Sequence, residues 1–172
     1  MPADGPITGC PLLRDELEAV AGPLGLTVQT GAGDCPCALP PPAGPPGGPE
    51  PRHASLVCAG ARPGAAPTCF HLVAGPTLVE ELLAGGAHLV TPGWLRGWRG
   101  HLAAMGLDAP TAAALLGEAA RLVVLLDTGV GADPAEELAA FAGHLGLPAE
   151  RRRVGLDHLR LRVERLASAR TA

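Results

Sequence analysis

Apolar positions along the chain fall into two patterns: short continuous runs, and stripes at helical spacing between them. The clearest run is Leu-Val-Val-Leu-Leu-Asp at 122–127, which predicts a strand covered on both faces. Shorter runs predict strands at 7–10, 26–30, 53–58 and 87–90, and an edge strand at 151–154. Over 12–21, Leu13, Leu17 and Val20 form one stripe, with Asp15, Glu16 and Glu18 read onto the opposite side. Pro76 opens a helix at 76–83, and Gly85-Gly86 ends it. Residues 94–105 read as a single helix ended by Gly106, and Asp108 caps the next, at 111–121. Asp133-Pro134 starts a helix that runs to 145. A last helix, 157–170, turns Leu159, Val163 and Leu166 to one face and its arginines to the other.

Strands alternating with helices predict an α/β fold: a mostly parallel sheet of about four to six strands with helices on both faces, Rossmann-like. Ligands gather at the carboxyl ends of the strands in such sheets. Residues 1–172 read as a single domain. Within it, 31–52 is loop, and its Pro/Gly-rich tract at 40–52 is expected to be mobile, because that tract suits neither a helix nor a central strand.

Composition narrows the classes. Hydrophobic residues are 47% and charged residues 17%, which excludes a charged disordered chain. Thirteen basic against 17 acidic residues give a net charge of −4, so no nucleic-acid or anionic-membrane partner is expected. No apolar run reaches the roughly 20 residues that span a bilayer, and the N-terminus does not read as a signal peptide. A cytoplasmic location is expected. Every basic residue is Arg, and Lys, Asn and Tyr are absent. This reads as compositional bias, so a lone Arg or Gly carries little weight.

The five cysteines are Cys10, Cys35, Cys37, Cys58 and Cys69. In a reducing compartment they point to metal or thiol chemistry, or to simple burial. Cys10 and Cys58 end predicted strands, Cys35 and Cys37 follow another, and Cys69 precedes a helix. Parallel strands would bring all five to one sheet edge. Four thiolates, or three with His71, form the ligand set of tetrahedral zinc; an iron–sulfur cluster or Cu(I) also suits thiolates. The spacing is not that of a zinc ribbon or finger, since Cys35-Pro36-Cys37 is a CxC. The competing reading is that Cys10 and Cys58 are small apolar residues at buried strand ends.

Other residues keep two readings each. His71 is a ligand, a general base or a surface group, and His88 is packed or hydrogen-bonded. Trp94 and Trp98 are core or a lid. Arg96 and Arg99 meet an anion or are solvated. Asp127 is a catalytic carboxylate at a strand end or the cap of the following turn. Gly129, Gly131 and Asp133 are too sparse for a dinucleotide fingerprint, and no phosphate loop or G-x-S-x-G elbow exists. Arg151-Arg152-Arg153 reads as a solvated edge.

The order of short motifs is distinctive: a strand ending in Cys10 before an acidic amphipathic helix, a Cys-bearing loop, and Leu56-Val57-Cys58-Ala59-Gly60. Cys69 follows, with an apolar stretch to Gly75-Pro76, and then His88-Leu89-Val90-Thr91-Pro92-Gly93-Trp94. This order resembles the family called domain of unknown function 1638, over nearly the whole chain. The resemblance implies ligand positions at Cys10, Cys58 and Cys69. The fourth falls in the 34–37 loop, where Cys35 or Cys37 stands in place of the family's His. Thr68 and the Pro/Gly tract depart from the family pattern. The implied partners are a corrinoid protein or methyltransferase, or a signalling protein. The expected function is a thiolate metal-binding α/β domain holding zinc, an accessory or methyl-transfer component of a corrinoid-type system. The alternative is a non-enzymatic metal or redox sensor, or an interaction domain of a signalling protein.

Overall fold

A computed structural model describes residues 6–30 and 69–169. The expected loop at 31–52, with its 40–52 tract, and the expected strand at 53–58 lie outside those residues, as do Cys35, Cys37 and Cys58.

Strand β1 (Ile7–Gly9) leads through Cys10 and a 3-10 turn (Pro11–Leu13) into α1 (Arg14–Ala21). A second 3-10 turn, Gly22–Leu24, ends at Gly25 in the left-handed region, and β2 (Val28–Thr30) follows. β2 pairs parallel with β1, Ile7 opposite Val28 and Gly9 opposite Thr30.

The second described stretch opens with α2 (Cys69–Ala74), α3 (Pro76–Ala84) and β3 (Ala87–Val90). Next come α4 (Pro92–Leu95), α5 (Trp98–Ala104), α6 (Ala109–Ala119) and β4 (Leu122–Asp127). Helix α7 (Ala135–Leu145), strand β5 (Ala149–Arg153) and helix α8 (Asp157–Ala169) complete it. β3, β4 and β5 form a parallel sheet in that order.

The sheet is covered on both faces, and β4 shows why. Its alternate residues point to opposite sides, as strand geometry requires. Val124 and Leu126 enter a core with Leu13, Leu17, Val20, Leu72, Val79, Leu159 and Val163, from α1, α2, α3, α8 and the turn before α1. Val123 and Leu125 enter another with Leu95, Trp98, Ala112, Leu138 and Phe141, from α4 to α7. All four β4 residues are fully buried, each contributing about 1.5–3 kcal/mol relative to exposure. The α/β architecture with helices on both faces is therefore as the pattern implied.

Three details correct the sequence reading. The described strands form two parallel sets, the larger with three strands, in place of a single sheet of four to six. The single helix expected at 94–105 is two helices, and the first begins at Pro92. The Thr91 hydroxyl accepts the Trp94 N–H at 3.3 Å, and Pro92 needs no donor at the first helical position. Residues 69–74, unassigned by periodicity, form helix α2, too short for its stripe to stand out. β5 is exposed along its length and, among the described residues, pairs with β4 alone; its charged side chains suit an edge. Among the described residues, no helix is long and apolar enough to cross a membrane.

Candidate functional site

The buried polar side chains of the described residues are Glu16, Thr91, Asp127 and Thr128. All four lie where strands give way to helices, at the carboxyl ends of β1, β3 and β4. Three strand-to-helix connections converge there. A Cβ on Gly93, after β3, would come within 2.0 Å of the Leu12 carbonyl oxygen, so glycine is what allows the first two connections to touch. Arg96 Nη1 donates to Asp15 Oδ2 at 2.6 Å. Gly131, at φ +81°, brings the loop after β4 against the same carboxylate.

Glu16 sits at the centre of this convergence. Only 1% of its surface is exposed. Thr128 Oγ1 donates to its Oε1 at 3.1 Å, and its Oε2 is buried with no hydrogen-bond partner among the described residues. Burial pushes its carboxyl above the ordinary range. Hydrogen bonds from its own backbone N–H and from Thr128 act against that, Asp15 adds to it, and Arg96 opposes it.

Asp127, the last residue of β4, has both oxygens engaged. Oδ1 accepts the Gly129 N–H at 2.9 Å; Oδ2 accepts Arg151 Nε at 2.8 Å and Arg153 Nη1 at 3.3 Å. Burial alone would raise its carboxyl, but the Arg151 hydrogen bond, the Gly129 N–H and the two guanidinium charges hold it below the ordinary range. Arg151 also reaches Asp133 Oδ1 at 3.0 Å, and that oxygen accepts the Ala135 N–H at the start of α7. Asp127 thus makes the turn-capping contact that one of its readings expected, and it ties that turn to an edge strand. The Arg151–Arg153 run is at an edge, as expected, but two of its members grip this carboxylate.

On the other face, Phe141 gathers the aromatic side chains. Ring centroids of Trp94, Trp98 and His88 lie 4.9, 5.3 and 5.7 Å from it. Trp98 Nε1 donates to Glu137 Oε2 at 3.2 Å, and the Arg99 guanidinium stacks 4.2 Å from the Trp98 ring centroid. Trp98 is thus core and Trp94 packs against that core half-buried, and Arg96 and Arg99 are held by Asp15 and by Trp98 with Glu137. Burial lowers the imidazoles of His88 and His101.

Of the expected ligand residues, Cys10 directly follows β1, Cys69 is the first residue of α2, and His71 stands two residues later. Cys10 is 3% exposed and Cys69 5%. Among the described residues, no three His, Cys, Asp or Glu side chains gather as a metal site. Cys35, Cys37 and Cys58 lie outside those residues. Sequence reasoning missed Glu16 and Thr128. The signal was present: 13, 16, 17 and 20 keep helical spacing, so Glu16 falls on the apolar stripe of α1 rather than on its outer side.

One family model, described as "Protein of unknown function (DUF1638)", matches residues 48–161, more than half of the chain. The match includes Cys58, Cys69 and His71, and it begins after Cys10, Cys35 and Cys37. No curated protein and no solved structure matches the chain.

Proposed function

The chain belongs to the DUF1638 family, and from that premise we propose that it is a thiolate metal-binding domain that holds zinc. The ligands are Cys10, Cys58, Cys69 and one of Cys35 or Cys37, with His71 the neighbouring imidazole. The observation that supports this reading most is the placement of Cys10. It closes β1 at the same carboxyl edge that collects Glu16, Thr91, Asp127 and Thr128. Cys69 packs in the core that also holds Leu13 and Leu17, the residues that follow Cys10 into α1. The donor chemistry fits, since soft thiolates suit zinc. Cys10 and Cys69 supply two donors, so the rest must come from positions 35, 37 and 58.

Zinc bound by four thiolates makes a closed, structural centre; with one position open it activates an incoming thiol or water. The role as accessory or methyl-transfer component of a corrinoid-type system is carried by the family resemblance alone. Cobalt(II) substitution tests the centre and its openness together. Thiolate-to-cobalt charge transfer is expected on loading, and a spectral change on adding a small thiol marks an exchangeable position. Absence of charge transfer would contradict thiolate ligation.

A further inference from the structure

Among the described residues, two side-chain hydrogen bonds tie the β1–α1 segment to the far side of the carboxyl edge. One is the Arg96–Asp15 pair, whose side chains are 48% and 32% exposed, so solvent screens it. The other is the buried hydrogen bond from Thr128 Oγ1 to Glu16 Oε1, which joins residues 112 positions apart. Glu16 can form this bond either as an acid or as a carboxylate. As a carboxylate, it is buried with only neutral donors, its own backbone N–H and the Thr128 hydroxyl, and with Oε2 lacking a hydrogen-bond partner among the described residues. That state is costly, and letting water reach the oxygen relieves it.

We infer that the Glu16–Thr128 contact is a proton-operated latch: closed when Glu16 carries its proton, and loosened at the start of α1 when it does not. The charges acting on Glu16 are Asp15 on its own helix and Arg96 after α4. On the β4 side, Asp127 is neutralised by Arg151 and Arg153. Helix α8, which packs on α1, turns Leu159 and Val163 inward. Among the described residues, the cation that acts on Glu16 is Arg96, and it is already paired with Asp15 at 2.6 Å. Leu13, Leu17 and Val20 stay packed, so the loosening is local. Cys10 belongs to the same segment, so the latch sets how often its buried thiol meets solvent.

Peptide-resolved hydrogen–deuterium exchange from pH 4.5 to pH 8, corrected for intrinsic rates, tests the latch on wild type and Glu16→Gln. The amide keeps an acceptor oxygen for Thr128 and cannot ionise. In wild type, protection of residues 10–21 is expected to fall with rising pH. The fall is about tenfold for every pH unit separating the closed-state from the open-state titration of Glu16. In Glu16→Gln that fall disappears, while protection of β4 is unchanged. Thr128→Ser retains wild-type behaviour, and Thr128→Val loosens 10–21 throughout. Flat wild-type protection would overturn the latch, as would a fall that survives in Glu16→Gln.

Discussion

Arg151 Nε donates to Asp127 Oδ2 across 2.8 Å, from β5 to the buried end of β4. This bond gives an exposed edge strand a fixed place on the sheet. Asp127→Asn keeps the shape but removes the charge that two guanidinium groups address. It is expected to cost about 2–3 kcal/mol at pH 7. The folded state holds this carboxyl below its ordinary value, so its contribution is present above about pH 4 and is lost as pH falls through the folded pKa. Denaturant midpoints of wild type and Asp127→Asn should therefore differ at pH 7 and converge towards pH 3. Equal midpoints at pH 7 would show that the pair contributes nothing.

Gly93 is expected to tolerate no side chain. A Cβ there meets the Leu12 carbonyl oxygen at 2.0 Å, a backbone atom that cannot rotate away. Gly93→Ala should separate the connections after β1 and β3, at a cost of about 1–3 kcal/mol or more. The melting temperature is the measurement, and an unchanged value would mean that the two connections shift apart freely.

Phe141 is fully buried between both tryptophans and His88. Phe141→Ala is expected to destabilise by about 3–5 kcal/mol and to alter tryptophan fluorescence, because it empties the centre of this face. Phe141→Leu should retain more stability than Ala. Indistinguishable Ala and wild-type proteins would contradict this packing.

His88 supplies a pH dependence on the acid side. Burial lowers its imidazole in the folded state, whereas the unfolded chain binds the proton near pH 6.5. The unfolded state therefore binds more protons just below that pH, and stability is lost as pH falls from about 6.5. Stability curves of wild type and His88→Phe, recorded between pH 7 and 5, check this. The variant should show a shallower decline, and parallel curves would remove His88 from the account.

The readable part of the chain was the part whose burial is one-sided or complete. The run 122–127 gave a strand covered on both faces because an uninterrupted apolar hexamer has no solvent-facing side. Asp108 was legible as a cap because its carboxylate is local to the Thr111 N–H it accepts, 2.9 Å away. What stayed hidden depends on distant partners. Glu16 read as an outward acid because its hydrogen-bond donor lies 112 residues on. Asp127 kept two readings because the arginines that engage it stand on another strand. The break between α4 and α5 was masked because Trp94 and Trp98 keep the four-residue spacing of one helix face, yet both pack on Phe141 from separate helices. Of the thiols, Cys10 was legible as a strand end; Cys69 was placed before a helix and in fact begins one.

The central claim is a thiolate zinc centre, and metal content tests it most directly. The protein is purified anaerobically without a histidine tag, and its metals are counted by mass spectrometry beside a Cys58→Ser/Cys69→Ser variant that circular dichroism shows to be folded. The account expects about one zinc per chain in wild type, from a single tetrahedral set of ligands, and none in the variant. Wild-type protein without metal, or zinc undiminished in the variant, would contradict it.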